Sequence, residues 1–315
     1  MADYSNSRGT TACEAREAQA NGQKALPSLF SRLLVPTDFS AVATRSLQYA
    51  QVLAQRYGSQ IYLTHVLPEE TVAAHVSRSS RHPDERLRLA AQGQMDRLLR
   101  RLPPGAMPCN ASIEAGRLWC VIEGQIYRYG IDLIILGTRG VRPKPEPFLG
   151  SGAEQIFRHA PCPVLTIGPA ALEKNIADPV FSKVLFVTDF GASAEKAGGY
   201  AASFARTFGA SVTSLHIVEN PRASSPAALN HLRQIHIQRM THSVHENHWA
   251  DCHPHFIIRF GNAAEETLAA SREMQAHLIV MGARTTPQWA GHIPLSTAYN
   301  VVAKAACPVL TIRNA

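Results

Sequence analysis

Leu133-Ile134-Ile135-Leu136-Gly137-Thr138-Arg139-Gly140, followed after nine intervening residues by Gly150-Ser151, decides the reading of this chain. The apolar run reads as a buried strand, and the residues from Leu149 to His159 read as the helix after it. Glycines directly after a strand, with a hydroxyl at the next helix start, form a backbone cradle for phosphate. No Cβ blocks the anion, and the helix presents free amides and a positive dipole end. No Gly-Lys-(Ser/Thr) occurs here, so this is not a Walker P-loop. The competing explanation is structural: the glycines shape a turn and the serine caps a helix.

Outward from this stretch, strand and helix alternate. Arg32–Pro36 is an apolar run too short for a helix. Ser40 can cap a helix carrying Ala43, Leu47, Ala50, Ala54 and Tyr57 at spacings of three and four, and Gly58 stops it. Ile61–Val66 is a strand. Pro83-Asp84-Glu85 opens a helix with Leu87, Ala91, Met95, Leu98 and Leu102 on one face. Ala111–Glu114 is a weaker strand, and Leu118, Val121, Ile122 and Ile126 mark a third helix. Cys162–Ile167 is a final strand. Strands apolar on both faces require a parallel sheet covered by helices. The expected fold is therefore α/β and doubly wound, with strand order 3-2-1-4-5. In such a sheet the ligand crevice opens at the carboxyl ends of strands 1 and 4, where Asp38 and Gly137 lie.

The unit is written twice. Leu34-Val35-Pro36-Thr37-Asp38-Phe39 recurs as Leu185-Phe186-Val187-Thr188-Asp189-Phe190, 151 residues on. Cys162-Pro163-Val164-Leu165-Thr166-Ile167 recurs as Cys307-Pro308-Val309-Leu310-Thr311-Ile312, 145 residues on. Gly137 and Gly282 share the second offset. A chain of 315 residues accommodates two such domains. The expected limits are a disordered tail over 1–30, a first domain over 31–168, a linker over 169–181 and a second domain over 182–315.

Composition narrows the function classes. The apolar fraction of 45% supplies real cores, yet the apolar runs are too short to span a membrane. The start of the chain carries Glu14, Arg16 and Glu17 and no signal-peptide core, so a cytoplasmic location is expected. Six cysteines form no CxxC pair and read as buried, reduced thiols. The net charge is +7, with Arg81, Arg86, Arg88, Arg97 and Arg100 concentrated in one stretch. Without aromatic interleaving or a nucleic-acid motif, this reads as a solvated helix face. Seven histidines lie between His231 and His255, with His242, His245 and His248 spaced by three. No carboxylate or cysteine joins them at a ligating spacing, so no metal site is expected.

Taken together, Val35-Pro36-Thr37-Asp38-Phe39-Ser40, His65-Val66, the glycine motif and His159-Ala160-Pro161-Cys162-Pro163-Val164 make the chain resemble a tandem universal stress protein. That resemblance implies two adenine nucleotide alpha hydrolase-like domains. It also implies ATP as ligand. Pro36, Thr37 and Asp38 would contact the nucleoside, and the Val66 backbone would meet adenine. Gly137, Arg139, Gly140, Gly150, Ser151, Gly152 and Ala153 would surround ribose and phosphates. Asp38 would stand where it can help position Mg²⁺ beside the phosphates.

Two departures from the family pattern stand out. Between Gly140 and Gly150 the chain carries Pro143, Pro145 and Pro147, which remove three amide donors and stiffen the loop. The second unit keeps Gly282 and Ser296 but has Thr285 and Leu295 in place of the other two glycines. Nucleotide binding is therefore expected in the first domain, and weakly or not at all in the second. No Ser-His-Asp order, paired carboxylates or activated cysteine is evident, so no catalytic residue is expected. Three functions fit: an ATP-binding regulatory protein with an internal pseudo-dimer, a slow ATPase or self-phosphorylating protein, and an interaction module that ignores nucleotide. An unidentified protein partner and further homodimerisation belong to the same expectation.

Overall fold

The computed structural model describes residues 29–67, 83–139, 149–173, 180–221, 225–246, 249, 252–283 and 296–313. The first half runs β1 (Arg32–Pro36), α1 (Ala41–Tyr57), β2 (Gln60–Leu67), α2 (Pro83–Arg100), β3 (Cys109–Ala115), α3 (Leu118–Tyr129), β4 (Leu133–Gly137), α4 (Ser151–His159) and β5 (Val164–Ile167). The second runs β6 (Lys183–Val187), α5 (Ala192–Phe208), β7 (Ser211–Val218), α6 (Pro226–Glu246), β8 (His255–Phe260), α7 (Ala263–Glu273), β9 (Leu278–Ala283), α8 (Thr297–Lys304) and β10 (Val309–Arg313). The ten strands among the described residues form one sheet in the order β3-β2-β1-β4-β5-β10-β9-β6-β7-β8. Pairing is parallel within each half.

Local chemistry sets the element ends. The Ser40 hydroxyl accepts from the Ala43 amide at the start of α1, and Gly58 ends that helix in the left-handed region at φ 69°. Gly130 and Gly209 end α3 and α5 the same way. Strand β5 begins at Val164 rather than Cys162, because Pro163 has no amide for the ladder and contributes only its carbonyl, to Ile134.

Alternate strand residues feed opposite faces. Leu33, Val35, Leu133 and Ile135 pack under α1 and α2, in a core continuous with Val184, Phe186 and α5. Leu34, Ile134 and Leu136 face α3 and α4. Leu185, Val187, Ile279 and Met281 face α7 and α8.

The halves join through an antiparallel pairing of β5 with β10, centred on Leu165 opposite Leu310. Thr166 donates to the Val309 carbonyl and Thr311 donates to the Val164 carbonyl, at 3.1 and 3.2 Å. These are the same bond from the two repeats, so the seam has a local two-fold relation. An aromatic cluster closes the seam on the α1–α5 side. Phe30 stacks on Tyr200 and meets Tyr57 edge-on, while Phe181 meets Phe204 and Phe208 edge-on. Phe30 and Phe181 are both fully buried. The expected tail and linker therefore give up these residues to the core, because each supplies a ring to the junction. Residues 1–28 lie outside the described part.

Candidate nucleotide site

The carboxyl ends of β1, β2 and β4 converge beside the start of α4. After Pro36, Thr37 is buried and its hydroxyl accepts from the Phe39 amide. Phe39 sits at φ 62°, an uncommon conformation for a side chain of its size. The exposed Asp38 accepts from the Ser40 amide, 3.0 Å from Oδ1, and so holds the turn into α1. His65 Nδ1 donates to the Thr37 carbonyl at 2.7 Å, and the Phe39 ring packs 4.5 Å from the imidazole. Asp189, Phe190 and His216 repeat this arrangement in the second half. The repeated aspartate and histidine therefore have a structural task in both halves.

Backbone parity singles out Val66. In a parallel strand the amide and carbonyl of one residue point to the same side. The Gln60 amide donates to Ser31 and the Thr64 carbonyl accepts from Thr37, so the even residues of β2 face β1. The β1–β2 register ends at Pro36 opposite Thr64. Val66 thus directs its amide and carbonyl past the end of β1, into the crevice.

The glycines divide into two kinds. A Cβ on Gly137 would lie 2.9 Å from Val42 Cγ1 and 3.3 Å from the Val42 carbonyl carbon. Gly137 is therefore a glycine because α1 crosses the strand end there. Gly282 has the same reason, with its Cβ 2.8 Å from the Ala194 amide nitrogen. Helix packing is thus a sufficient reason for Gly137, whatever else it lines. Gly152 packs with its Cα against Leu118, whose Cδ2 would lie 2.7 Å from an added Cβ. Gly150 is the N-cap of α4, with φ −61° and no side chain to satisfy the helix amides, and its own amide donates to Thr138. Ser151 is the first helical residue and is exposed; Gly152 and Ala153 follow it and are half-buried, as is Arg139. The first intrahelical bond runs from Glu154 to Gly150. The amides of Ser151, Gly152 and Ala153 precede it and point out of the helix end. Gly140 and the three prolines of the loop lie outside the described residues.

In the second half the equivalent serine is spent differently. Ser296 is the N-cap of α8, and its hydroxyl accepts from the Tyr299 amide at 3.2 Å. Of the three amides ahead of the first helical bond, which runs from Asn300 to Ser296, the Ser296 side chain takes up one. Thr285 and Leu295 are outside the described residues.

The second half also grips α4. The Leu149 amide donates to the Tyr299 hydroxyl at 3.3 Å, and Leu149 is buried in the core that α7 and α8 share. Phe157 packs edge-on against the Tyr299 ring. At the other end of α4, the Arg313 guanidinium donates to the carbonyls of Phe157 and Arg158. Burial at this seat lowers the Arg313 pKa to about 10. No local pattern marks Leu149, Tyr299 and Arg313 as part of the site, because their link spans about half the chain.

Among the described residues, no cluster of histidine, cysteine and carboxylate is arranged for a metal. His236 packs on His216 at 4.6 Å between ring centres. Of the five described cysteines, Cys120 is exposed, against the expectation of buried thiols. No helix among the described residues is long and apolar enough to cross a membrane.

The model of the universal stress protein family matches residues 29–168 and again 181–313. A universal stress protein of Synechocystis is 23% identical over 150 residues, spanning 44% of this chain and 97% of that protein. One from Thermus aquaticus is 26% identical over 150 residues, with 44% and 99% covered. A crystal structure of a universal stress protein from Archaeoglobus fulgidus matches with a TM-score of 0.68 at 19% identity, covering 91% of this chain and 98% of its own.

Proposed function

The chain belongs to the universal stress protein family, and from that premise we propose that it is a regulatory protein whose first domain holds ATP while its second domain holds the first in shape. The reading rests above all on the contrast between two helix starts. At α4 a glycine cap leaves the amides of Ser151, Gly152 and Ala153 turned outward; at α8 the Ser296 hydroxyl occupies the equivalent place. An outward-facing helix N-terminus suits phosphate. Arg139, half-buried just past β4, would continue the cradle, and the motif's Gly140 would join it. The edge of β2 at Val66 offers one amide and one carbonyl, the pattern adenine needs, and Pro36, Thr37 and Asp38 form the wall between. Gly137 shapes the strand end that the ribose would pass. If Mg²⁺ accompanies the phosphates, Asp38 is the nearby carboxylate, and its Oδ1 already serves the Ser40 amide.

The regulatory reading follows from how the site's titratable groups are engaged. Among the described residues Asp38 and His65 are held by the turn into α1 and by the Thr37 carbonyl, which favours occupancy over turnover as the signal. The test is a thermal melt of the intact chain with ATP. At a hundred times Kd the ligand stabilises the native state by about 2.7 kcal/mol. Gly150→Leu, which copies Leu295, abolishes the shift. An unshifted melt at millimolar ATP overturns the proposal.

A further inference from the structure

We propose that the second domain carries its own ligand site, for a small α-amino acid with an apolar side chain. The site lies between α5 and α6, on the sheet face opposite α7 and α8, and it borders the strand-end turn of the second half through Thr188 and Phe190. A pocket of about 180 Å³ opens there at the carboxyl end of β6.

Comparison of the repeats shows why it exists. Gly198 stands where the first domain has Leu47, and Ser214 where it has Leu63. Both leucines are buried in the first core. Two leucine side chains have thus been withdrawn from one place. Trp249 refills part of the space, lying 3.6 Å from where a Gly198 Cβ would be, and packs against Phe186. The remainder is the pocket. Native cores rarely leave such a gap, because unfilled volume destabilises them.

Its lining specifies the occupant. Phe186, Trp249 and Gly198 make an apolar floor, and Ser214 adds a hydroxyl. Among the described lining residues the charged ones are Arg239 and Glu195, both exposed at the mouth. Arg239 stacks on the Phe190 ring, 4.1 Å from its centre, which fixes the guanidinium and leaves its edge donors for a planar acceptor such as carboxylate. A ligand with a single charge would meet one like charge at this mouth; a zwitterion matches both. An apolar cavity of ~150 Å³ admits a benzene ring, so the volume suits a phenyl or branched aliphatic side chain.

The test is calorimetric titration of the full chain with L-phenylalanine and with L-leucine. Binding with Kd of about 1 mM or tighter is expected for at least one. Arg239→Gln, at an exposed position, weakens it about tenfold or more, the loss of a charge-assisted contact. Ser214→Leu, restoring the residue of the first domain, abolishes it; if that variant does not fold, Arg239→Gln decides. Phenylacetate and phenethylamine, each with one charge, bind at least about tenfold more weakly than L-phenylalanine. Absence of binding by both amino acids, binding indifferent to Arg239→Gln, or equal binding of a one-charge analogue overturns the proposal.

Discussion

The amide of Leu149 donates to the hydroxyl of Tyr299, joining the residue before the first domain's cradle to a helix of the second. Because Leu149 is buried, its amide has no water to turn to if that hydroxyl is lost. Tyr299→Phe is expected to cost about 1–3 kcal/mol in urea unfolding, the penalty of an unsatisfied buried donor. It should also weaken ATP binding, since Gly150 and Ser151 follow directly. Unchanged stability and affinity would show that the contact does not hold the cradle.

The two strand-end glycines give an asymmetric pair of mutants. Gly137→Ala meets a movable Val42 methyl, whereas Gly282→Ala meets the backbone of Ser193 and Ala194. Both are destabilising, by about 1–3 kcal/mol as expected for overpacking, and Gly282→Ala by more. Gly282→Ala leaves ATP affinity unaltered. Chemical denaturation with an ATP titration of each variant decides this; equal stability of Gly282→Ala and wild type would remove helix packing as the reason for the glycine.

Acid should weaken the second domain through His216. Burial lowers its pKa, against the Thr188 carbonyl, which raises it; His236 and Arg239 lower it further, and Asp189 opposes them. The unfolded chain, with a histidine pKa of about 6.5, then takes up the proton first as pH falls. This contribution is complete above the unfolded pKa and lost as the solution becomes more acidic. Urea unfolding between pH 7.5 and 5 should show stability falling, and His216→Gln should flatten the fall. An identical slope in the variant would exclude this histidine.

Thiol reactivity should separate Cys120 from the rest of the described cysteines. Cys120 is exposed, whereas burial pushes the thiols of Cys109 and Cys162 up to about 11 and about 12. Thiolate is the reactive form. Labelling with iodoacetamide near neutral pH, read by peptide mass, should modify Cys120 well before Cys109 and Cys162. Comparable rates would contradict this environment.

Much of the architecture was legible in sequence, because strand and helix periods and cap residues are local. Ser40, Gly58 and the repeated Thr-Asp-Phe strand end announced themselves this way. The glycine motif was legible as a pattern but not in its parts. Gly137 looks like Gly150 in a sequence, yet only its distance from Val42 reveals that helix packing demands it. Phe30 and Phe181 looked like tail and linker, since their partners lie on α1 and α5. The grip of Tyr299 and Arg313 on α4 depends on the β5–β10 seam, which no local pattern encodes. The pocket beside Trp249 needed both repeats in register, so that two missing leucines could be seen as one space.

The most direct measurement is the number of ATP molecules bound per chain, by calorimetry on wild type, Gly150→Leu and Ser296→Ala. The account predicts one site in the wild type, none in Gly150→Leu and one, at unchanged affinity, in Ser296→Ala. Two sites, none, or one that survives Gly150→Leu would contradict it.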